Sequence, residues 1–84
     1  MIDYVPEMFT ARQIKAARAL LGWNQPNLAE ASGVSLQTIK RMELSADRVS
    51  GHARNVYAVL DAFEHAGIEF LNGDAPGVRL RKLK

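Results

Sequence analysis

Between Asn24 and Glu43 the chain ends one short helix and begins another, with only Gly33 and Val34 in between. So abrupt a reversal restricts the fold, because both helices must set their apolar sides against one core. Asn24 is placed to accept from the open backbone N–H groups of a helix starting at Gln25. Pro26 falls in the first turn, where its missing donor costs little. Leu28 and Ala29 face inward, and Gly33 supplies the left-handed backbone that stops the run. Val34 anchors the turn in the core, and Ser35 restarts a helix as its N-cap.

The second of these helices carries the chemistry. Ile39 and Met42 share one face at i and i+3, while Gln37, Thr38, Lys40 and Arg41 fall largely elsewhere. A Gln can bond adenine through a paired donor and acceptor, and an Arg can bond guanine O6 and N7 as a fork. Lys40 adds a point charge suited to phosphate. The same residue types also make an ordinary solvated helix face. Two capped helices around so short a turn favour nucleic-acid binding over that bland alternative.

Residues 10–66 resemble the helix-turn-helix domain of the lambda repressor and Cro type, the Xre family of bacterial and phage regulators. The marks are Arg18, Gln25, Leu28, Ala29, Gly33, Val34, Ser35, Thr38, Ile39 and Glu43 at the family's relative spacing. The continuation, Ala-Gly-Ile-Glu-Phe-Leu at 66–71 and Pro-Gly-Val-Arg-Leu-Arg-Lys at 76–82, resembles a subset of short members. The resemblance implies that Gln25, through an exposed amide, bonds a phosphate, and that Gln37 and Arg41 read base edges. It places Leu36 and Thr38 at the groove as well, where Leu36 can meet a thymine methyl. Arg18 and Glu43 are implied to pair, tying the first helix to the end of the recognition helix. The loop at 44–52 is implied to approach the DNA backbone through Arg48, Ser50 and Gly51. The base-facing set is then Ser35, Leu36, Gln37, Thr38 and Arg41, and the phosphate-facing set Asn24, Gln25, Lys40, Arg48 and Arg54. Three departures from the family stand out. Pro26 and Asn27 replace acidic residues of the first turn, and Leu36 removes a polar group that could have read a base. Leu44-Ser45-Ala46 stands where relatives place a Gly after the Glu, so the recognition helix is expected to run longer.

The flanks complete a small helical domain. Thr10 and Gln13 form a capping box at the first helix, with Phe9 and Ile14 as a hydrophobic staple. Ile14, Ala17 and Leu21 repeat on one face, Gly22 ends the helix, and Trp23 plugs the next turn. Arg12 and Lys15 face outward. A last helix from about Ala53 to Ala66 carries Val56, Leu60 and Phe63 on one stripe, with Gly67 as terminator and Tyr57 as a packing residue; Arg54 near its start can reach a phosphate. Ile68–Leu71 and Val78–Lys82 alternate apolar with charged residues around a turn-rich Asn-Gly-Asp-Ala-Pro-Gly, which predicts a hairpin. Two strands alone are barely stable. Ile68, Phe70, Val78 and Leu80 share one side, so the hairpin is expected to pair with that of a second copy, giving a homodimer. The alternative for the terminal run from Arg79 to Lys84 is a basic tail touching phosphates. The expected organisation is an N-terminal extension at 1–8, a four-helix lambda repressor-like domain at 9–67, and a hairpin with basic tail at 68–84.

Charge is distributed in blocks. Residues 10–55 hold seven cations against Glu30, Glu43 and Asp47, whereas residues 56–74 hold only Asp61, Glu64, Glu69 and Asp74 as charged groups. A basic reading side and an acidic far side would be oriented by the field of DNA. The chain has no cysteine, so disulfides and thiolate metal sites are excluded. His52 and His65 are thirteen positions apart and neither sits in a recurring catalytic spacing, so no enzyme, metal or cofactor is expected; each lies by a helix end. No long apolar run suggests a leader or membrane span, and a cytoplasmic protein is expected. The expected function is a sequence-specific transcriptional regulator acting on double-stranded DNA. Repression is favoured because 84 residues hold no obvious effector domain. The runner-up is an antitoxin-like protein-interaction module that uses the apolar hairpin surface.

Overall fold

A computed structural model describes residues 10–44, 52–71 and 76–81. Along the described residues the order is α1 (Ala11–Leu21), α2 (Gln25–Ser32), α3 (Leu36–Glu43), α4 (Ala53–His65), β1 (Ile68–Leu71) and β2 (Gly77–Leu80). This is the mainly helical fold with a short C-terminal hairpin that the sequence pattern predicts. Phe9, Arg48, Ser50, Gly51 and the residues after Arg81 lie outside the described part, and so do the staple, loop and tail expectations that rest on them.

Each start signal works through side-chain capping. Thr10 accepts from the Gln13 backbone, and Gln13 Oε1 accepts from Thr10 N–H at 2.9 Å. Asn24 and Asn27 repeat that reciprocal arrangement at α2, with bonds of 2.7 and 2.9 Å. Asn27 therefore closes the capping box with an amide in place of a carboxylate. The stops are equally local. Gly22 and Gly33 adopt φ of 70° and 76°, a region that carries a penalty for any residue with a Cβ.

Ile14, Ala17, Leu28, Val34, Ile39, Met42, Val56, Val59, Phe63 and Ile68 form one buried core to which all four helices and the hairpin contribute. Trp23 stacks on Phe63 at 5.8 Å, and Phe70 meets the same ring edge-on at 5.9 Å. The plug expected at Trp23 thus joins the turn after α1 to the hairpin through a shared aromatic partner. Tyr57, expected to pack, keeps 37% exposure on α4.

Two expectations are corrected by geometry. α3, expected to run longer, does not run past Glu43. Leu44 is its C-cap, and its N–H bonds the carbonyls of Arg41 and Met42, which tightens the last turn without a glycine. The second strand spans Gly77–Leu80, one residue earlier than the alternation suggests at its start, with Arg81 N–H donating to Gly67 O at 2.7 Å across the base of the hairpin.

The hairpin also finds its cover within the chain. Its register is Ile68 with Leu80, Glu69 with Arg79, Phe70 with Val78 and Leu71 with Gly77, so the apolar side chains do share one face. That face packs on the helical core: Ile68 is fully buried, and Phe70 and Val78 pack against the core cluster. Only Leu80 keeps substantial exposure, at 41%. Gln13 fastens the other end. Its Nε2 donates to Leu71 O at 3.1 Å and Gly77 O at 3.0 Å, so one buried amide serves both the α1 cap and the two strand ends. A carboxylate could make the cap but not these two bonds, because it has no hydrogen to donate.

Candidate nucleic-acid interface

α3 has two chemically distinct sides because its sequence alternates on a helical period. Ile39 and Met42 are buried at 1% exposure each, which fixes the helix against the core. Gln37, Lys40 and Arg41 are exposed; Leu36 and Thr38 are half-buried at its first turn. Ser35 Oγ accepts from Thr38 N–H at 3.2 Å and donates to Thr38 Oγ1 at 2.9 Å. The two hydroxyls thus stabilise the start of the helix while remaining at its surface. Gln37 and Arg41 are i and i+4 and therefore project from one stripe.

Behind this surface lies an ion pair. Glu43, the only acid of α3, is 4% exposed and takes two bonds of 2.7 Å from Arg18, one from Nε and one from Nη2. Arg18 Nη1 reaches on to Trp23 O at 3.1 Å. The hydrogen bond to Glu43 raises the Arg18 pKa further; burial opposes this and the carboxylate's charge adds to it, so the guanidinium stays protonated. Since the acid is buried and answered, the charges that α3 presents outward are those of Lys40 and Arg41. Both also lie in the last turn, where cations complement the helix dipole.

The phosphate-facing candidates are arranged less uniformly. Asn24 is exposed, with its carbonyl oxygen committed to capping. Gln25 is not the fully exposed amide that the family resemblance implies: it is half-buried, and its Nε2 donates to Glu43 Oε1 at 3.1 Å. That bond seats the first residue of α2 beside the end of α3. Arg54 is exposed near the start of α4, as are Arg12 and Lys15 on α1. Arg79 belongs to β2 rather than to a tail, and donates to Glu69 at 2.6 and 2.9 Å. This hydrogen bond, followed by the charges of Arg79 and Arg81, holds the Glu69 carboxyl below its ordinary range.

The capping bond of Asn27, the bond from Gln25 to Glu43 and the bonds from Gln13 to the strand ends are the parts that sequence reading missed or left half-described. For Gln13 a signal existed in the choice of an amide over an acid at the capping position. Nothing local marks the bond from Gln25 to Glu43, which spans eighteen residues.

Neither a protein-family model nor a curated protein sequence matches this chain. Among the described residues, no helix is long and apolar enough to cross a membrane, and no three His, Asp or Glu residues are grouped to hold a metal ion.

Proposed function

We propose that this chain is a sequence-specific DNA-binding regulator of the Xre type that sets α3 into the major groove. The observation that carries the reading is the division of α3: Gln37, Lys40 and Arg41 stand outside while Ile39, Met42 and Glu43 are buried. An α-helix with its side chains is about 10–12 Å across, which suits the roughly 12 Å width of the groove. Gln37 and Arg41 then read base edges, with Ser35, Leu36 and Thr38 at the helix start. Lys40, Asn24, Gln25 and Arg54 hold phosphates.

A homodimer on a two-fold operator fits this reading. The protein measures 32 × 30 × 28 Å, and half-sites lie about 34–36 Å apart along one turn of DNA. Leu80 is the apolar group of the hairpin left for a partner copy. Occupancy of such a site blocks other proteins from it, so repression is the simplest output, in the cytoplasm where the DNA is. Light scattering at tens of micromolar tests the dimer, and the mass of one chain would remove it without touching the DNA reading.

Selection of bound duplexes from a random pool at a stated salt concentration tests the function itself. With the selected site in hand, Arg41→Ala should relax preference at one base position at a cost of roughly 1–3 kcal/mol. Lys40→Ala should weaken every duplex and flatten the salt dependence. Equal losses for both variants on every duplex would sink base reading.

A further inference from the structure

Glu43 gathers three donors from two different elements: two from Arg18 on α1 and one from Gln25 at the first position of α2. A carboxylate only accepts, so the Gln25 amide must turn its nitrogen toward Glu43, and its orientation is fixed by chemistry. Nε2 carries two hydrogens and Glu43 takes one. Gln25 lies beside the last turn of α3, where Lys40 and Arg41 are exposed, and its own side chain is only half-buried. The amide is thus restrained before any ligand arrives, at the edge of the cationic surface.

We propose that Glu43 is a positioning residue for nucleic-acid binding: it holds Gln25 with its second amide hydrogen directed to a backbone phosphate, and Arg18 contributes through Glu43 without touching the ligand. This rests on the DNA-binding reading above. An unrestrained Gln has several rotamers to lose on binding, and holding one in place removes a penalty equivalent to about two- to ten-fold in affinity. Because Gln25 is neutral, its contact leaves the counterion count unchanged, unlike that of Lys40.

The test is a binding cycle on the selected duplex and on an unrelated one, at several salt concentrations. Gln25→Ala should weaken both duplexes by about two- to ten-fold with the salt slope unaltered. Arg18→Met combined with Glu43→Met removes the restraint while filling the space, and should cost a similar factor. Adding Gln25→Ala to that pair should then cost clearly less than it does in the wild-type protein. A purely structural pair predicts multiplied losses instead, and that result would overturn the proposal. A second readout needs no variant to fold: nitrogen relaxation in the wild-type protein should show the Gln25 side-chain amide as rigid as the backbone and that of Gln37 mobile. A mobile Gln25 amide overturns the proposal even if DNA binds. Failure of the wild-type chain to bind any duplex removes the regulator reading, and this inference with it.

Discussion

Arg18 and Glu43 show how a small protein keeps charge inside. Replacing both by apolar groups of like volume is often tolerated, whereas removing one strands the other in a poor solvent. Arg18→Met alone should therefore destabilise by on the order of 3 kcal/mol, the low end for a desolvated pair because Arg18 retains contact with water. The combined Arg18→Met and Glu43→Met variant should lose clearly less, as measured by urea melts of all four members of the cycle. Equal or greater loss in the double variant would mean that the pair itself, and not the abandoned charge, holds the helices. At this scale the sequence is legible where a residue acts on near neighbours. Thr10, Ser35 and Gly33 announce their roles because capping and left-handed turns are settled within four residues. The duties of Gln13 toward Leu71 and Gly77 lie beyond that range, as does the grip of Glu43 on Gln25. Only the fold brings those atoms together.

Turns and helix ends hold separate consequences. No atom lies within 4 Å of a Cβ built at Gly33, so substitution there meets empty space and an unfavourable backbone. Gly33→Ala should cost about 1–2 kcal/mol through conformation alone, and Gly33→Asn less, since Asn visits the left-handed region more readily; thermal melts rank them. At the other end of the molecule, His65 closes α4 with Nδ1 2.9 Å from Asp61 O and 3.5 Å from the Asp61 carboxylate. The carbonyl bond, then the carboxylate charge, raise its pKa above the ordinary 6.5. Protonation thus favours the folded state: this contribution is complete below the unfolded value and disappears as pH rises through the folded one. Proton NMR titration should find the His65 midpoint above 6.5, falling part of the way back in Asp61→Asn, where the carbonyl remains. An unchanged midpoint in that variant would assign the whole effect to the helix end. Element boundaries were readable from caps and stops except where a stop had no glycine, as at Leu44, and where strand alternation alone set the limit, as at Gly77.

For the molecule as a whole, the hairpin is the element whose role changed most between sequence and structure. Alternation correctly placed Ile68, Phe70, Val78 and Leu80 on one face, but a pattern of period two cannot say what lies opposite that face. The answer is the chain's own helices, so the hairpin's motive for a second copy shrinks to Leu80, whose replacement by Lys should convert a hairpin-mediated dimer to monomer without unfolding the protein. Light scattering and a melt on the same sample check both halves of that statement. Arg18 and Glu43 cancel within one charge block and leave its cationic excess unchanged, whereas Glu69 and Arg79 cancel across two blocks on the hairpin.

A single side chain, Gln13, fastens the opening turn of α1 to both strand ends. Segments separated by some sixty positions are thereby yoked into one cooperative unit. Fraying that begins at the amino-terminal helix should unzip the carboxy-terminal sheet in the same event, and deuterium should enter the amides of both with a common opening energy.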